Sequence, residues 1–249
     1  MPARQADAII LRTYPLREAD RIVSFFTRQY GKCRGVSRGA RRPQSGFGAA
    51  LEPLTQVQVS FFERPNRDLV AIDRCEVVRS MLATHAGGYE SAVILGYIAE
   101  LAERLLPEHQ VNDAAFRLLV AVLAGLQAGV PPWLALLYDL YWMVRLEGFL
   151  PDLAHCQVCG RALAAEEEAA FGPGIEGVAC RGCRPAGGSR LSGGGRAWAL
   201  VFAKTPLAAI APAGWETGAQ AADLRLLLHQ RVEAHLEQRM QSWKLLQEL

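Results

Sequence analysis

The sequence predicts an α+β protein of several domains: a small N-terminal β-barrel, a helical domain and a cysteine-rich module. Three observations predict this class. Short apolar runs with strand character fill the first 80 residues, longer runs with helical periodicity follow, and two Cys-x-x-Cys pairs are separated by twenty residues. With 249 residues, 51% of them hydrophobic, the chain can bury a sizeable core in two or three compact pieces.

Five strand-like runs are found between Asp7 and Val78. In the fourth run Val57, Val59 and Phe61 alternate with polar residues, which is the pattern of a strand with one buried face. The runs span residues 8–11, 21–26, 33–36, 55–62 and 69–72, and a glycine-rich connection, 35–48, joins the third to the fourth. Five strands in a small basic barrel match the OB-fold, which commonly binds single-stranded nucleic acid. We assign residues 1–80 to this OB-fold.

Helical periodicity starts at Tyr89, where apolar residues recur at Ile94, Ile98 and Leu101. Four helices are predicted, at 89–106, 112–127, 132–147 and about 220–246. The last is expected to carry one apolar stripe that packs on the others, formed by Leu224, Leu228, Val232, Leu236 and Met240. The helical domain is therefore predicted to comprise residues 81–154 and about 190–249.

Two features bear on a membrane or exported location. Residues 118–138 carry no charge and are nominally long enough to cross a bilayer, but Gly129, Pro131 and Pro132 would break a continuous helix. Two buried helices are the better interpretation. The first residues have no apolar stretch behind their positive charge, so we expect no secretory signal and a cytoplasmic protein.

The paired cysteines Cys156, Cys159, Cys180 and Cys183 predict one structural Zn²⁺ per chain in a module at residues 155–189. Two disulfides are the alternative, but a reducing compartment disfavours them. A catalytic zinc would keep one open position, whereas here four thiolates fill the tetrahedron. His155 is a weak candidate ligand. The isolated Cys33 and Cys75 are expected to be small buried hydrophobic residues.

Charge is distributed unevenly along the chain. Residues 1–80 hold 14 Lys+Arg and 8 Asp+Glu, while the remainder holds 13 and 17. The densest part, here called the basic segment, is 21–42, which contains no acid and seven cations: Arg21, Arg28, Lys32, Arg34, Arg38, Arg41 and Arg42. Tyr30, Phe25 and Phe26 are interleaved, and cations with aromatic platforms suit a nucleic-acid strand. We predict DNA contacts by the seven cations and Tyr30, with at most one of the two phenylalanines facing a ligand.

Three other interpretations stay open. The basic segment could be a solvated face, in which case the protein would be an interaction scaffold without DNA affinity. Backbone electrostatics alone does not separate DNA from RNA, so an RNA-binding zinc protein is possible. A zinc-dependent nuclease would need carboxylates or histidines around an open metal, and the run Glu166 to Glu168 is better explained as a solvated face. We expect no enzymatic activity.

Several ordered motifs resemble the RecO family of bacterial recombination mediators over nearly the whole chain. The N-terminal ones are 8–13, 18–23, Gly31-Lys32 and 35–43, and the later ones are 148–153, 156–160, Phe171 and the second cysteine pair. The resemblance implies an OB-fold, a helical domain and a zinc module. It further implies binding of single- and double-stranded DNA, annealing of complementary strands, and cooperation with RecR and the single-stranded-DNA-binding protein to help RecA load on gapped DNA.

Carried over by position, Arg38, Arg41 and Arg42 fall in a basic loop of that family. They are the strongest predicted DNA contacts, although the same loop could bind RecR instead.

Overall fold

The computed structural model describes residues 3–42, 45–63, 68–81, 88–215 and 217–249. Contacts between Cα atoms divide the chain into two compact units. The first comprises Met1–Ala128 and Met240–Leu249, and the second comprises Gly129–Arg239. The finer division into three domains remains a prediction. Pro43, the last residue of one sequence motif, lies outside the described residues.

The first unit begins with a closed five-stranded barrel of strand order β1-β2-β3-β5-β4. The strands are β1 (Arg4–Leu16), β2 (Asp20–Thr27), β3 (Gly31–Ser37), β4 (Gln56–Phe62) and β5 (Val70–Arg79). A parallel pairing of β3 with β5 closes the barrel. At this closure Gly35 is required, because a Cβ atom there would lie 2.8 Å from side-chain carbons of both Ile72 and Val70. The predicted OB-like barrel is confirmed.

Alternation along β4 sets the barrel core as predicted. Val57, Val59 and Phe61 are buried inside, whereas Gln58 is exposed. Cys33 and Cys75 are also buried in this core, as expected. Burial raises the pKa of the Cys33 thiol to about 11 and that of Cys75 to about 12, so both stay protonated and apolar.

Two helices and a short C-terminal helix complete the first unit: α1 (Tyr89–Leu105), α2 (Asp113–Gln127) and α6 (Gln241–Gln247). The Asn112 side chain caps α2 by accepting the Ala115 N–H at 3.0 Å. The buried carboxylate of Glu100 on α1 accepts the N–H groups of Gln241 at 2.9 Å and Ser242 at 2.8 Å. These bonds satisfy donors at the start of α6 and fix it on α1.

The second unit contains α3 (Pro132–Leu146), α4 (Gly193–Lys204), α5 (Ala222–Leu236) and a small sheet of order β7-β6-β8. The sheet strands are β6 (Ala169–Gly172), β7 (Ile175–Ala179) and β8 (Ser189–Leu191). Residues 128–131 separate α2 from α3, as the glycine and prolines predict. Among the described residues no helix is long and apolar enough to span a bilayer.

One helix prediction was wrong, and one helix was missed. The single long helix expected at 220–246 is two helices, α5 and α6, because Glu237 takes a left-handed conformation with φ of 52° and ends α5. Met240 therefore belongs to the first unit rather than to the stripe that starts at Leu224. Helix α4 was not predicted at all, because a run of three glycines begins it.

Two of those glycines, Gly193 and Gly195, are needed for packing. A Cβ atom on Gly193 would lie 2.7 Å from the Glu166 backbone, and one on Gly195 would lie 2.6 Å from the Asp223 carboxylate. Capping offsets their poor helix propensity, since the Ser192 hydroxyl accepts the Gly195 N–H at 3.0 Å.

Candidate metal centre and nucleic-acid interface

The four cysteines of the paired motifs meet in one cluster. The Sγ atoms of Cys156, Cys159, Cys180 and Cys183 all lie within 4.8 Å of one another, and those of Cys159 and Cys180 are 3.9 Å apart. Four thiolates around Zn²⁺ at about 2.3 Å would be separated by about 3.8 Å. The cluster therefore has the ligand type, number and spacing that a closed, structural zinc site requires.

The backbone around the first pair turns tightly enough to aim both sulfurs inward. Gly160 has φ of 74° and donates its N–H to the Cys156 carbonyl at 2.8 Å, while Cys183 donates to the Cys180 carbonyl at 3.0 Å. The Gln157 N–H bonds to the Val178 carbonyl at 2.8 Å, which ties the first pair to β7. Hydrogen bonds within and between the two pairs thus preform the cluster.

Protein donors favour the thiolate form of two ligands. Burial acts to raise the pKa of Cys156, but backbone N–H groups of Cys180, Cys159 and Val158 point at its sulfur and bring the pKa to about 6. A hydrogen bond from Arg161 lowers the pKa of Cys180. Hydrogen bonding to the neighbouring sulfurs raises the pKa of Cys183 to about 12. Such partly ionised sulfur clusters suit a divalent cation, which removes the remaining protons.

His155 does not join the cluster. Its imidazole is exposed, and Nδ1 lies 2.8 Å from a carboxylate oxygen of Asp152. Two of the three consecutive glutamates form surface ion pairs, Glu167 with Arg161 and Glu168 with Arg190 at 3.0 Å. They therefore lie on a solvated loop, as predicted.

A residue that the sequence did not single out holds the cysteine module in place. Arg196 on α4 is buried, and its guanidinium donates to the carbonyls of Leu153, Ala164 and Glu167 at 2.7–2.8 Å. One charged group thereby satisfies three loop carbonyls around the cysteines. No local sequence signal identifies it, because a lone arginine at the start of a helix is usually exposed.

The basic segment folds as β2, β3 and the loop that follows, and the structure separates its cations into two groups. In the first group, Arg28 is paired with Asp113 at 2.7 Å and Arg34 with Glu108 at 2.8 Å. The Lys32 ammonium is buried and donates to the Glu103 carbonyl. Burial lowers the pKa of Lys32. Intramolecular contacts therefore occupy three of the seven cations.

The second group consists of Arg21, Arg38, Arg41 and Arg42. In the described residues none of the four forms an ion pair, and Arg38, Arg41 and Arg42 are exposed. Here residues 38–42 are called the basic loop. The Asp20 carboxylate accepts the Gly39 N–H at 2.9 Å, and the Ala19 carbonyl accepts the Arg41 N–H at 3.0 Å. Backbone bonds thus hold the loop against the β1–β2 turn. Of its guanidiniums, that of Arg41 also donates to the Arg17 carbonyl at 3.4 Å, and all three stay exposed without an acidic partner among the described residues.

Beside the basic loop lies a cavity of about 400 Å³. Arg17 and Arg38 line it together with Asp20, Asp68 and the apolar residues Leu16, Val36, Leu69, Val70 and Ala71. Arg17 was not predicted as a contact. It takes a left-handed conformation with φ of 56° in the β1–β2 turn, which places it near a loop more than twenty residues away.

The aromatic residues of the basic segment serve the fold. Phe25 and Phe26 are both buried. Phe25 lies inside the barrel, whereas Phe26 is covered by Phe116 of helix α2, with the two ring centroids 5.8 Å apart. Neither one faces solvent. Tyr30 is half-buried, packs edge-on against Phe61, and lies under the Arg4 guanidinium at 4.7 Å.

Comparisons with known proteins cover both units. The family model described as "Recombination protein O N terminal" matches residues 1–81, and "Recombination protein O C terminal" matches residues 88–244. A protein of Koribacter versatilis named DNA repair protein RecO is 42% identical over 99% of both chains. A protein of the same name from Anaeromyxobacter dehalogenans (strain 2CP-1) is 36% identical over 100% of this chain and 98% of its own. From the barrel to the final helix, the chain belongs to the RecO family.

Proposed function

We propose that this protein is a DNA-binding recombination mediator that acts in DNA repair without covalent chemistry. It binds single- and double-stranded DNA, anneals complementary strands and, with RecR and the single-stranded-DNA-binding protein, helps RecA load on gapped DNA. Family membership supports the role in recombination repair. A cytoplasmic, nucleoid-associated location follows from that role.

The observation that carries the DNA-binding proposal is the basic loop. Its three arginines are exposed, lack acidic partners in the described part of the chain, and are fixed by backbone bonds to the β1–β2 turn. Phosphate contacts need available cations in a fixed geometry. The logarithm of the binding constant falls linearly with the logarithm of the salt concentration, and each phosphate contact with a single strand contributes about −0.7 to this salt slope. Arg21 is a further candidate, whereas Arg28, Lys32, Arg34 and Tyr30 are ranked lower because they have partners within the fold.

In this proposal Zn²⁺ is held by the four cysteines and supplies a structural cross-link. Residues 156–183 contain only two short strands, one short 3₁₀ turn and loops, so the metal would fix a segment with little regular secondary structure. Arg196 then anchors the loop before β6 to helix α4.

The test is fluorescence anisotropy of a labelled single-stranded oligonucleotide over a salt series. The Arg38→Glu, Arg41→Glu, Arg42→Glu triple variant should bind far more weakly, and its salt slope should become less steep by about 2. The matched control changes Arg74, Lys204 and Lys244 to Glu, which alters the net charge equally at exposed positions elsewhere.

Equal losses in both variants would mean that only net charge matters. Unchanged binding by the loop variant would assign the loop to a protein partner such as RecR instead.

A further inference from the structure

The second unit contains a cavity of about 810 Å³ that neither the cysteine cluster nor the basic loop lines. Its wall is formed by the β6–β7 hairpin from Gly172 to Glu176, by Phe149, and by one face of α5 that includes Leu227, Gln230, Arg231, Ala234 and His235. This volume lies within the range of small-molecule sites, about 300–1,000 Å³.

A flat aromatic platform borders the cavity. The rings of Phe149 and His235 are stacked with centroids 4.2 Å apart and planes 9° from parallel. His235 is an exposed residue near the end of α5, and Phe149 is half-buried beneath it. Two rings already in parallel register can extend the stack to a third planar ring at little entropic cost.

Arg231 supplies a cation on the same wall. Its Nε atom is buried and has no hydrogen-bond partner, and its guanidinium forms no ion pair in the described part of the chain. Because no acidic side chain among the described residues neutralises this guanidinium and Arg231 lines the cavity, its charge is available to an anion that enters there. Guanidinium groups match phosphate by paired, charge-assisted hydrogen bonds.

Glu176 adds an acceptor at the hairpin. It lines the same cavity and takes part in no ion pair within the residues described. The cavity therefore combines a stacking surface, a cation and a carboxylate acceptor. A phosphate ester carrying a planar heterocycle with amine donors presents the complementary groups.

We propose that this cavity binds one nucleotide, with its base stacked on His235 and its phosphate held by Arg231, while Glu176 accepts from an amine of the base. The proposal goes beyond the DNA-binding role of the barrel, because the site lies in the other unit and uses none of the basic loop. A nucleotide within a single strand and a free mononucleotide share this chemistry.

The probe is 2-aminopurine, whose fluorescence falls when the base stacks. One arm titrates 2-aminopurine deoxyribonucleoside 5′-monophosphate, and the other titrates a single-stranded oligonucleotide that carries one 2-aminopurine. In the native protein quenching should saturate. His235→Ala and Arg231→Glu should each weaken it about tenfold, in the range that one stacked base contributes.

His235→Phe should retain the quenching, because it keeps a planar ring at that position. Lys204→Glu is the matched control for Arg231→Glu, since Lys204 is an exposed cation on α4 outside the cavity. Zinc content and thermal melting of each variant verify that the second unit remains folded.

Quenching in both arms identifies a mononucleotide site, and quenching by the oligonucleotide alone identifies a strand contact. The mononucleotide arm does not depend on the basic loop, so it separates this proposal from the previous one. If His235→Ala loses the quenching but still binds the labelled oligonucleotide in the anisotropy experiment, the quenching comes from the cavity and not from the barrel. Absence of quenching in both arms, or quenching that survives both substitutions, would overturn the proposal.

Discussion

The cysteine cluster and the basic segment are both sets of chemically similar residues that stand out in the sequence, but the fold brings the members of the first set together and separates those of the second. All four cysteines converge within 4.8 Å. The seven cations disperse, since Arg28 and Arg34 pair with acids, Lys32 is buried, and the basic loop stays exposed. Metal ligands have to meet because they share one cation, whereas each arginine can find its own carboxylate. Spacing therefore identifies a ligand set, but charge density alone does not identify a binding surface.

The largest expected effect is the loss of one metal ligand. Cys156→Ser should abolish stoichiometric Zn²⁺ binding and unfold the cysteine module, because structural zinc contributes about 10–16 kcal/mol, comparable to the net stability of a domain. Metal analysis and limited proteolysis would measure both effects. Cys75→Ala removes a thiol from the barrel core and should keep one Zn²⁺ per chain. A Cys156→Ser protein that retains full zinc occupancy would refute the assignment of this ligand.

The next prediction concerns Asp139, a buried carboxyl group without a counter-ion among the described residues. It lies on α3, is completely buried, and both its carboxylate oxygens lack hydrogen-bond partners among the described residues. Burial raises the pKa of Asp139 from 3.8 to about 8. The stability contributed by its neutral form is fully present below pH 3.8 and is lost as the pH rises toward 8.

Asp139→Asn should therefore be more stable than the native protein, by a margin that grows between pH 5 and pH 8 at about 1.4 kcal/mol per pH unit. Urea unfolding at several pH values measures this margin. His229, whose pKa burial lowers to about 3, affects both proteins equally. Asp73→Asn makes the same substitution at an exposed position and serves as the surface control. A constant margin for Asp139→Asn would contradict the buried-carboxyl explanation.

The smallest expected effect is a difference in the salt slope of DNA binding between variants of two arginines of the basic segment. Arg38→Ala should reduce the salt slope of single-strand binding by about 0.7, because it removes one phosphate contact. Arg28→Ala should leave the slope unchanged, because Asp113 already neutralises that guanidinium at 2.7 Å. Anisotropy titrations at four salt concentrations resolve the difference. Equal slope changes would show that the ion pair opens when DNA binds.

Elements with a strong local pattern were predictable from the sequence. The alternation in β4 and the paired cysteines correctly gave a barrel strand and a cluster. The sequence could not show that α2 covers the outer face of β2 and buries Phe26, because that contact joins residues 90 positions apart. The acidic partners of Arg28 and Arg34 lie 85 and 74 positions further along the chain and were missed for the same reason.

Prediction also failed where backbone conformation overrides residue preference. The run of glycines 193–195 is typical of a loop, yet it begins α4, where close packing against Glu166 and Asp223 requires Gly193 and Gly195. Glu237 carries no breaker signal, although its left-handed conformation ends α5. The platform of Phe149 and His235 joins residues 86 positions apart, so no local motif could reveal it.

The position of α6 also has a consequence for how the chain is made. Its first turn is capped by Glu100, and Trp243 packs on Tyr97 at 6.1 Å, so the first unit needs residues from the extreme C-terminus. During translation the barrel and α1 emerge more than 130 residues before α6 does. Until α6 has been synthesised, the carboxylate of Glu100 lacks the backbone donors of Gln241 and Ser242. The second unit, by contrast, can assemble before α6 is made, because its residues are contiguous and precede that helix.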